Sequence, residues 1–285
     1  MNAQPRTAAG TLATAKDRVV RTGKEAAVRH VKPLLSDAAW ERLRGHPDPV
    51  RPSLTEIAQR TGTDKWGVHY YTPHYERHLA HLRDRAFTLL EIGVGGYART
   101  GEGGGSLRMW RRYFPQAQIV GLDIEDKSFL DRPRMTTVRG DQTDPATLES
   151  VLERFGPPLV VIDDGSHRPE DIVATFGILF PRLPDGAIYA IEDTQTSYWP
   201  EFGGSEDLDS PDTTMAFVKR LVDGLNHEEL LDPGYEPSYT DTHIRAVHCY
   251  HNLVVIEKGD NREGSNKRIA NRKWYAEHAA TQQAE

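Results

Sequence analysis

The sequence predicts an α/β fold in which a mostly parallel sheet is covered by helices on both faces and ends in one antiparallel strand pair. From Phe87 onward, short apolar runs alternate strictly with segments of helical spacing. Each run up to Asp193 stops at a glycine or a carboxylate, as strands do where an open α/β sheet presents its ligand edge. Near the end, two further runs follow each other with almost nothing between them, which suits antiparallel pairing.

In chain order, helical spacing with few breakers predicts helices over residues 13–31 and 37–44, and the stretch HPDPVRPS then separates them from the rest. Residues 1–60 read as a short helical N-terminal appendage, 61–260 as the α/β domain, and 261–285 as a polar tail that begins as a helix and frays. Tyr70, Tyr71, His74 and Tyr75 form an aromatic stripe that reads first as core and second as a cover for a cofactor. The strands follow: FTLLEIG (87–93), AQIVGLDI (117–124), MTTVRGD (135–141), PLVVIDD (158–164) and AIYAIED (187–193), with helices over 106–114 and 145–155 between them. A helix over 213–225 precedes the closing pair, THIRAVHCY (242–250) and NLVVIEKG (252–259).

Composition narrows the class. Hydrophobic residues at 38% and charged residues at 27% fit a soluble globular chain and are too mixed for wholesale disorder. No run approaches the ~20 apolar residues of a membrane span, and the first residues lack the apolar stretch of a secretory leader. Cys249 is the single cysteine, so neither an intrachain disulfide nor a cysteine-cage zinc site can form. A cytoplasmic protein without a membrane partner is expected. A formal charge of −7 argues against a nucleic-acid-coating protein. Residues 1–50 lean the other way, with nine Lys or Arg against five Asp or Glu, and read first as a solvated helical face or the contact arm of a homo-oligomer and second as a surface for an anionic partner.

The first strand ends EIGVGGYA, which satisfies G-x-G-x-x-A through Gly93, Gly95 and Ala98. In a dinucleotide fold the helix begins at these glycines and receives the pyrophosphate, and an acid for the ribose follows after ~20 residues. Here YARTGEGGGS postpones the helix to about Ser106, and the next strand-end acid, Asp123, lies 30 residues beyond Gly93. Glu91, just before the turn, would repel a pyrophosphate and attract the sulfonium and ammonium of S-adenosylmethionine. Asp123 can accept from ribose hydroxyls, and Asp141 with Gln142 can address an adenine edge. These residues favour S-adenosylmethionine over a nicotinamide cofactor, against the plainer reading of a tight turn and helix caps.

The last two parallel strands stop at paired acids, Asp163 with Asp164 and Glu192 with Asp193, and His167 lies three residues past Asp164. Successive strand side chains face opposite ways, so one of Asp163 and Asp164 is structural. Asp164, Glu192 and Asp193 would converge on one crevice if their strands are neighbours. Carboxylates gathered there must take up protons or hold a cation, and oxygen donors without cysteine suit a hard ion such as Mg²⁺. His167 is then free to act as a base. Caps and surface salt links are the alternative. Tyr198 and Trp199, just past these acids, could stack on a sugar face or simply pack a loop.

In order along the chain, TDKWGVHYYTPHYERHL, LLEIGVGGY, GGGSLRMW, GLDI, GDQTD, VIDDGSH and IEDTQTSYWPEFGG resemble the metal-dependent sugar O-methyltransferases of macrolide biosynthesis, of the mycinamicin and macrocin type. More distantly they are similar to the cephalosporin-hydroxylase-like group and to rhamnosyl O-methyltransferases. The resemblance covers about residues 61–259. It implies a class I methyltransferase (Rossmann-like) fold with Glu91, Ser106, Asp123, Asp141 and Gln142 around S-adenosylmethionine. It further implies Asp164, Glu192 and Asp193 as Mg²⁺ ligands, His167 as general base, and a hydroxyl on a glycosylated small molecule as acceptor.

Overall fold

A computed structural model describes residues 51–97, 101–232 and 234–265. The helices expected over residues 13–31 and 37–44, and the tail beyond residue 265, lie outside the described residues. The chain divides into two compact units, Met1–Pro52 and Ser53–Glu285, and the second holds the sheet. Its first helix, α1 (Leu54–Thr61), opens on a capping box: the Ser53 hydroxyl accepts from the Glu56 N–H, and the Glu56 carboxylate accepts from the Ser53 N–H. Leu54, Ile57 and Ala58 share one buried face, and Gly62 in the left-handed region ends the helix. The second compact unit begins at Ser53, and this apolar face packs into its main core.

All seven apolar runs form strands: β1 (Thr88–Ile92), β2 (Gln118–Asp123), β3 (Met135–Arg139), β4 (Val160–Asp163), β5 (Ile188–Glu192), β6 (Ile244–Tyr250) and β7 (Leu253–Lys258). The sheet order is β3-β2-β1-β4-β5-β7-β6. The first five strands run parallel, whereas β7 is antiparallel to both β5 and β6. Because β7 slots between β5 and β6, the two-residue turn at His251 and Asn252 arrives beside the carboxyl end of β5, where Glu192 is in register with Leu253.

Strand alternation divides the core into two layers. Leu89, Ile162, Ala190 and Val255 face α1, α2 (Thr72–Leu79) and α3 (Gly105–Tyr113). Leu90, Val161, Tyr189 and Val254 face α4 (Pro145–Phe155), α5 (Pro169–Leu179) and α6 (Thr214–Gly224), while α7 (Tyr239–His243) leads into β6. Burying each large apolar side chain contributes roughly 1.5–3 kcal/mol, so a residue on the wrong phase is costly. No described helix is long and apolar enough to cross a membrane.

Candidate active site

The crossover direction reverses between β1 and β4, and the site grows from that gap at the carboxyl ends of the parallel strands. Gly93 ends β1 at φ +83°, and a Cβ there would overlap the Asp164 carbonyl oxygen, so only glycine lets the two strand ends pass this closely. The Gly104 N–H donates to the Val94 carbonyl at 2.8 Å, and α3 starts one residue later.

Between the Gly93 turn and the ends of β2 and β3 lies a cavity of about 370 Å³, lined among others by Tyr97, Asp123, Ile124, Asp141 and Ser166. Asp123 is nearly buried; its Oδ2 accepts from the Val94 N–H (2.8 Å) and the Tyr97 hydroxyl (3.0 Å), and its Oδ1 from the Glu125 N–H (2.9 Å). Asp141 is fixed at the rim by the Thr143 N–H and hydroxyl, both 2.8 Å from its Oδ1. Gln142 also lines the cavity, yet its amide is committed: Oε1 accepts from the Ser166 N–H (2.9 Å) and Nε2 donates to Thr175 Oγ1 (3.1 Å) and Asp163 Oδ1 (3.4 Å). Of the residues expected around the cofactor, Gly93, Asp123, Asp141 and Gln142 line this cavity, and Glu91, Gly95 and Ser106 do not.

The acids are sorted by strand phase. Asp163 follows Val161 onto the α4–α6 side, where it is buried and accepts from the Tyr189 hydroxyl at 2.9 Å. Burial pushes its carboxyl up to about 7, against the pull of the Tyr189 bond. Glu91, Asp164 and Glu192 turn to the opposite side and meet a cation that the strand ends alone do not announce. Lys65 is fully buried, donates to Asp164 Oδ2 (2.8 Å) and Glu192 Oε2 (2.7 Å), and stands 3.2 Å from Glu91 Oε1. Burial works against its charge, but the three carboxylates outweigh burial and hold the ammonium well above the usual lysine pKa. Glu91 is pushed up to about 7, chiefly by burial and in spite of Lys65. Glu192 is held high by burial and by Asp164. Three carboxylates around one ammonium leave an excess of negative charge, which protons or a second cation must offset.

Asp193 lies one residue past β5 in the left-handed region (φ 52°), as does His167 beyond β4 (φ 59°), a strain that side-chain-bearing residues keep where the surroundings enforce it. This turn brings Asp193 to Tyr71, whose hydroxyl donates to its Oδ1 (2.6 Å), and sets its Oδ2 3.8 Å from His167 Nε2. Asp164, His167 and Asp193 each offer a donor atom, and these atoms lie within 4.8 Å of one another. Glu192 stands beside this group with Oε2 held by Lys65 and Oε1 by the Tyr75 hydroxyl (2.5 Å). Two carboxylates and an imidazole, with a third carboxylate adjacent, form a donor set that fits a divalent, oxygen-preferring cation. Tyr198 and Trp199 are exposed on the turn after β5, and Trp199 reaches the group through Phe202, whose ring lies 6.0 Å from Trp199 and 6.4 Å from His167.

A demethylmacrocin O-methyltransferase of Streptomyces fradiae is 50% identical over 218 residues, 75% of this chain and 55% of its own length. This chain is a close homologue of the sugar O-methyltransferases. An 8-demethyl-8-alpha-L-rhamnosyl tetracenomycin-C 2'-O-methyltransferase of Streptomyces olivaceus is likewise 50% identical, over 74% of this chain and 56% of its own length. The MycE methyltransferase from the mycinamycin biosynthetic pathway, solved in complex with Mg and SAH, superposes with a TM-score of 0.72 at 46% identity, covering 75% of this chain and 55% of that one. The sheet is therefore the class I methyltransferase fold, mostly parallel with its antiparallel pair at the end. The chain spans about half the length of the curated sugar O-methyltransferases it matches. No family model matches it.

Three polar partners of this methyltransferase-fold site escape a reading of strand ends: Lys65, Tyr71 and Tyr75, which reach Asp164, Asp193 and Glu192 from 99, 122 and 117 residues earlier. Of the aromatic stripe, Tyr71 and Tyr75 are core residues whose hydroxyls serve the acids, whereas Tyr70 is exposed and His74 half-buried. The local signal is TDKWGVHYY, a lysine set among aromatic residues.

Proposed function

We propose that this protein transfers the methyl group of S-adenosylmethionine to a hydroxyl of a sugar carried on a glycosylated natural product, with Mg²⁺ held by Asp164, Glu192 and Asp193. The observation that carries this reading is adjacency: the glycine-turn cavity, at the carboxyl ends of β1, β2 and β3, and the acid group, at those of β4 and β5, lie along one edge of the parallel strands, with Gly93 packed against Asp164. The Mg and SAH in the MycE complexes, and the mycinamycin VI in one of them, support the same pairing of sites.

In this reading Asp123 receives the ribose hydroxyls and Asp141 the adenine edge. A bound Mg²⁺ supplies what a sugar hydroxyl lacks at neutral pH, a pull that lowers its pKa. Glu192 can serve as a ligand while bonded to Lys65 and Tyr75, since each carboxylate oxygen carries a second lone pair. Lys65, Tyr71 and Tyr75 hold the carboxylates in place, so that little reorganisation is left for the reaction itself. His167 takes the hydroxyl proton, its Nε2 lying 3.8 Å from Asp193 Oδ2. The sugar oxygen then bonds the methyl carbon as the carbon–sulfur bond breaks, and S-adenosylhomocysteine leaves as the neutral thioether; alignment of oxygen, carbon and sulfur is the fold's contribution. Trp199 and Tyr198 offer exposed faces on which a sugar can stack.

Calorimetric titration tests the cofactor assignment. S-adenosylmethionine should bind saturably with micromolar affinity and NAD should not bind. NAD binding that competes with S-adenosylmethionine would remove the basis for methyl transfer.

A further inference from the structure

On the same face of the sheet, toward its other edge, His78, His248 and Glu257 form a second group whose donor atoms lie within 4.8 Å of one another. Glu257 is in register with Ile188 at the amino end of β5, whereas Leu253 is in register with Glu192 at its carboxyl end, so this group sits away from the acids described above. His248 pairs with Val255 and Tyr250 with Leu253, which puts His248, Tyr250 and Glu257 on the strand face that meets α2, where His78 lies in the last turn.

We propose that His78, His248 and Glu257 bind a divalent transition-metal ion of the zinc type. Glu257 Oε1 is the meeting point: it lies 3.5 Å from His78 Nδ1 and 3.1 Å from His248 Nε2. Zinc bound tetrahedrally through nitrogen and oxygen at about 2.0–2.2 Å sets neighbouring donors about 3.3–3.6 Å apart, so small shifts would complete three corners. The remaining nitrogen of His78, Nε2, is 2.8 Å from the Tyr250 hydroxyl, the kind of outer hydrogen bond that fixes the tautomer of a ligating imidazole. Arg245 occupies Glu257 Oε2 at 3.0 Å and leaves Oε1 for the metal. His248 and Glu257 are partly exposed, at 37% and 21% of their side chains, so solvent can provide the fourth ligand. Two imidazoles and a carboxylate prefer zinc to Mg²⁺, which distinguishes this group from the oxygen-rich site. The lack of a cysteine cage is no obstacle to this donor set. Bound metal would tie the last turn of α2, the helix that carries Tyr75, to the β6–β7 pair.

The test uses the full chain, stripped with chelator and dialysed against Zn²⁺ in excess Mg²⁺, followed by metal analysis. The wild type should retain one more equivalent of zinc than either His248→Ala or Glu257→Gln, and zinc should raise its melting temperature but not that of His248→Ala. Tyr250→Phe should keep the site and weaken it by about 10–100-fold. His248 is partly exposed on an edge strand, so its variant is suited to remain folded. Equal zinc content in the wild type and both variants, or no zinc retained by any of them, would overturn the proposal.

Discussion

Replacing Lys65 with methionine keeps a long side chain and removes the one ammonium shared by the buried Glu91 and Glu192 and the half-buried Asp164. Breaking a buried ion pair from one side costs about 3–5 kcal/mol, because the partner is left charged and dry. Here part of that cost is relieved by proton uptake, since burial already pushes Glu91 up to about 7 and holds Glu192 high. The lower end, about 3 kcal/mol, is therefore expected, which for a domain of this size lowers the melting temperature by about 6–12 °C. Urea unfolding followed by two probes measures the loss and checks that the transition is two-state. A double-mutant cycle with Glu192→Gln then isolates the pair: the double variant should be about 2 kcal/mol less damaged than the sum of the single variants. If Lys65→Met stays within about 0.5 kcal/mol of the wild type, or the cycle is additive to that margin, Lys65 does not hold the acids together and the cluster must be explained without it.

Gly93→Ala should cost more than about 2 kcal/mol and abolish S-adenosylmethionine binding, because φ is +83° and the new methyl overlaps the Asp164 carbonyl; an unchanged melting temperature would show that the strand ends can part. Tyr71→Phe should leave the fold intact and raise the Mg²⁺ concentration for half-maximal turnover by about 10–100-fold, since Asp193 loses its 2.6 Å donor; an unaltered Mg²⁺ curve would separate Tyr71 from metal binding. His167→Gln should lower kcat by about 10²–10⁴ with S-adenosylmethionine and Mg²⁺ binding unchanged. Loss of Mg²⁺ binding in that variant would instead make His167 a ligand, a role its position beside Asp164 and Asp193 also permits.

The sheet was legible because continuous apolar runs and polar strand ends are local properties, and the central strands β4 and β5 are buried along their whole length. The helix over 145–155 matches α4, and the glycine-rich detour delays α3 to Gly105, as the sequence indicates. The insertion of β7 between β5 and β6 was not legible, because pairing order is decided by which edge is free once the parallel strands are placed. Within the site, strand phase separates Asp163 from Asp164, and the structure assigns Asp163 to the opposite core layer with Tyr189. Glu91 reads from sequence as a partner for a cofactor cation, yet the cation beside it is Lys65, which no periodicity connects to a strand beginning more than twenty residues later. Gln142 shows the same limit: its amide looks free for a ligand until Ser166, Thr175 and Asp163 are brought to it by folding.

Methyl transfer itself bears most directly on the account. Protein freed of metal with a chelator is incubated with isotopically labelled S-adenosylmethionine and a panel of demethylated glycosides of the macrocin and rhamnosyl tetracenomycin kinds, with and without Mg²⁺, and products are read by mass spectrometry. One labelled methyl is expected on a sugar oxygen of at least one acceptor, formed only when Mg²⁺ is restored and lost in Asp164→Asn. Equal transfer in the metal-free sample, or label placed on the aglycone rather than the sugar, would contradict it.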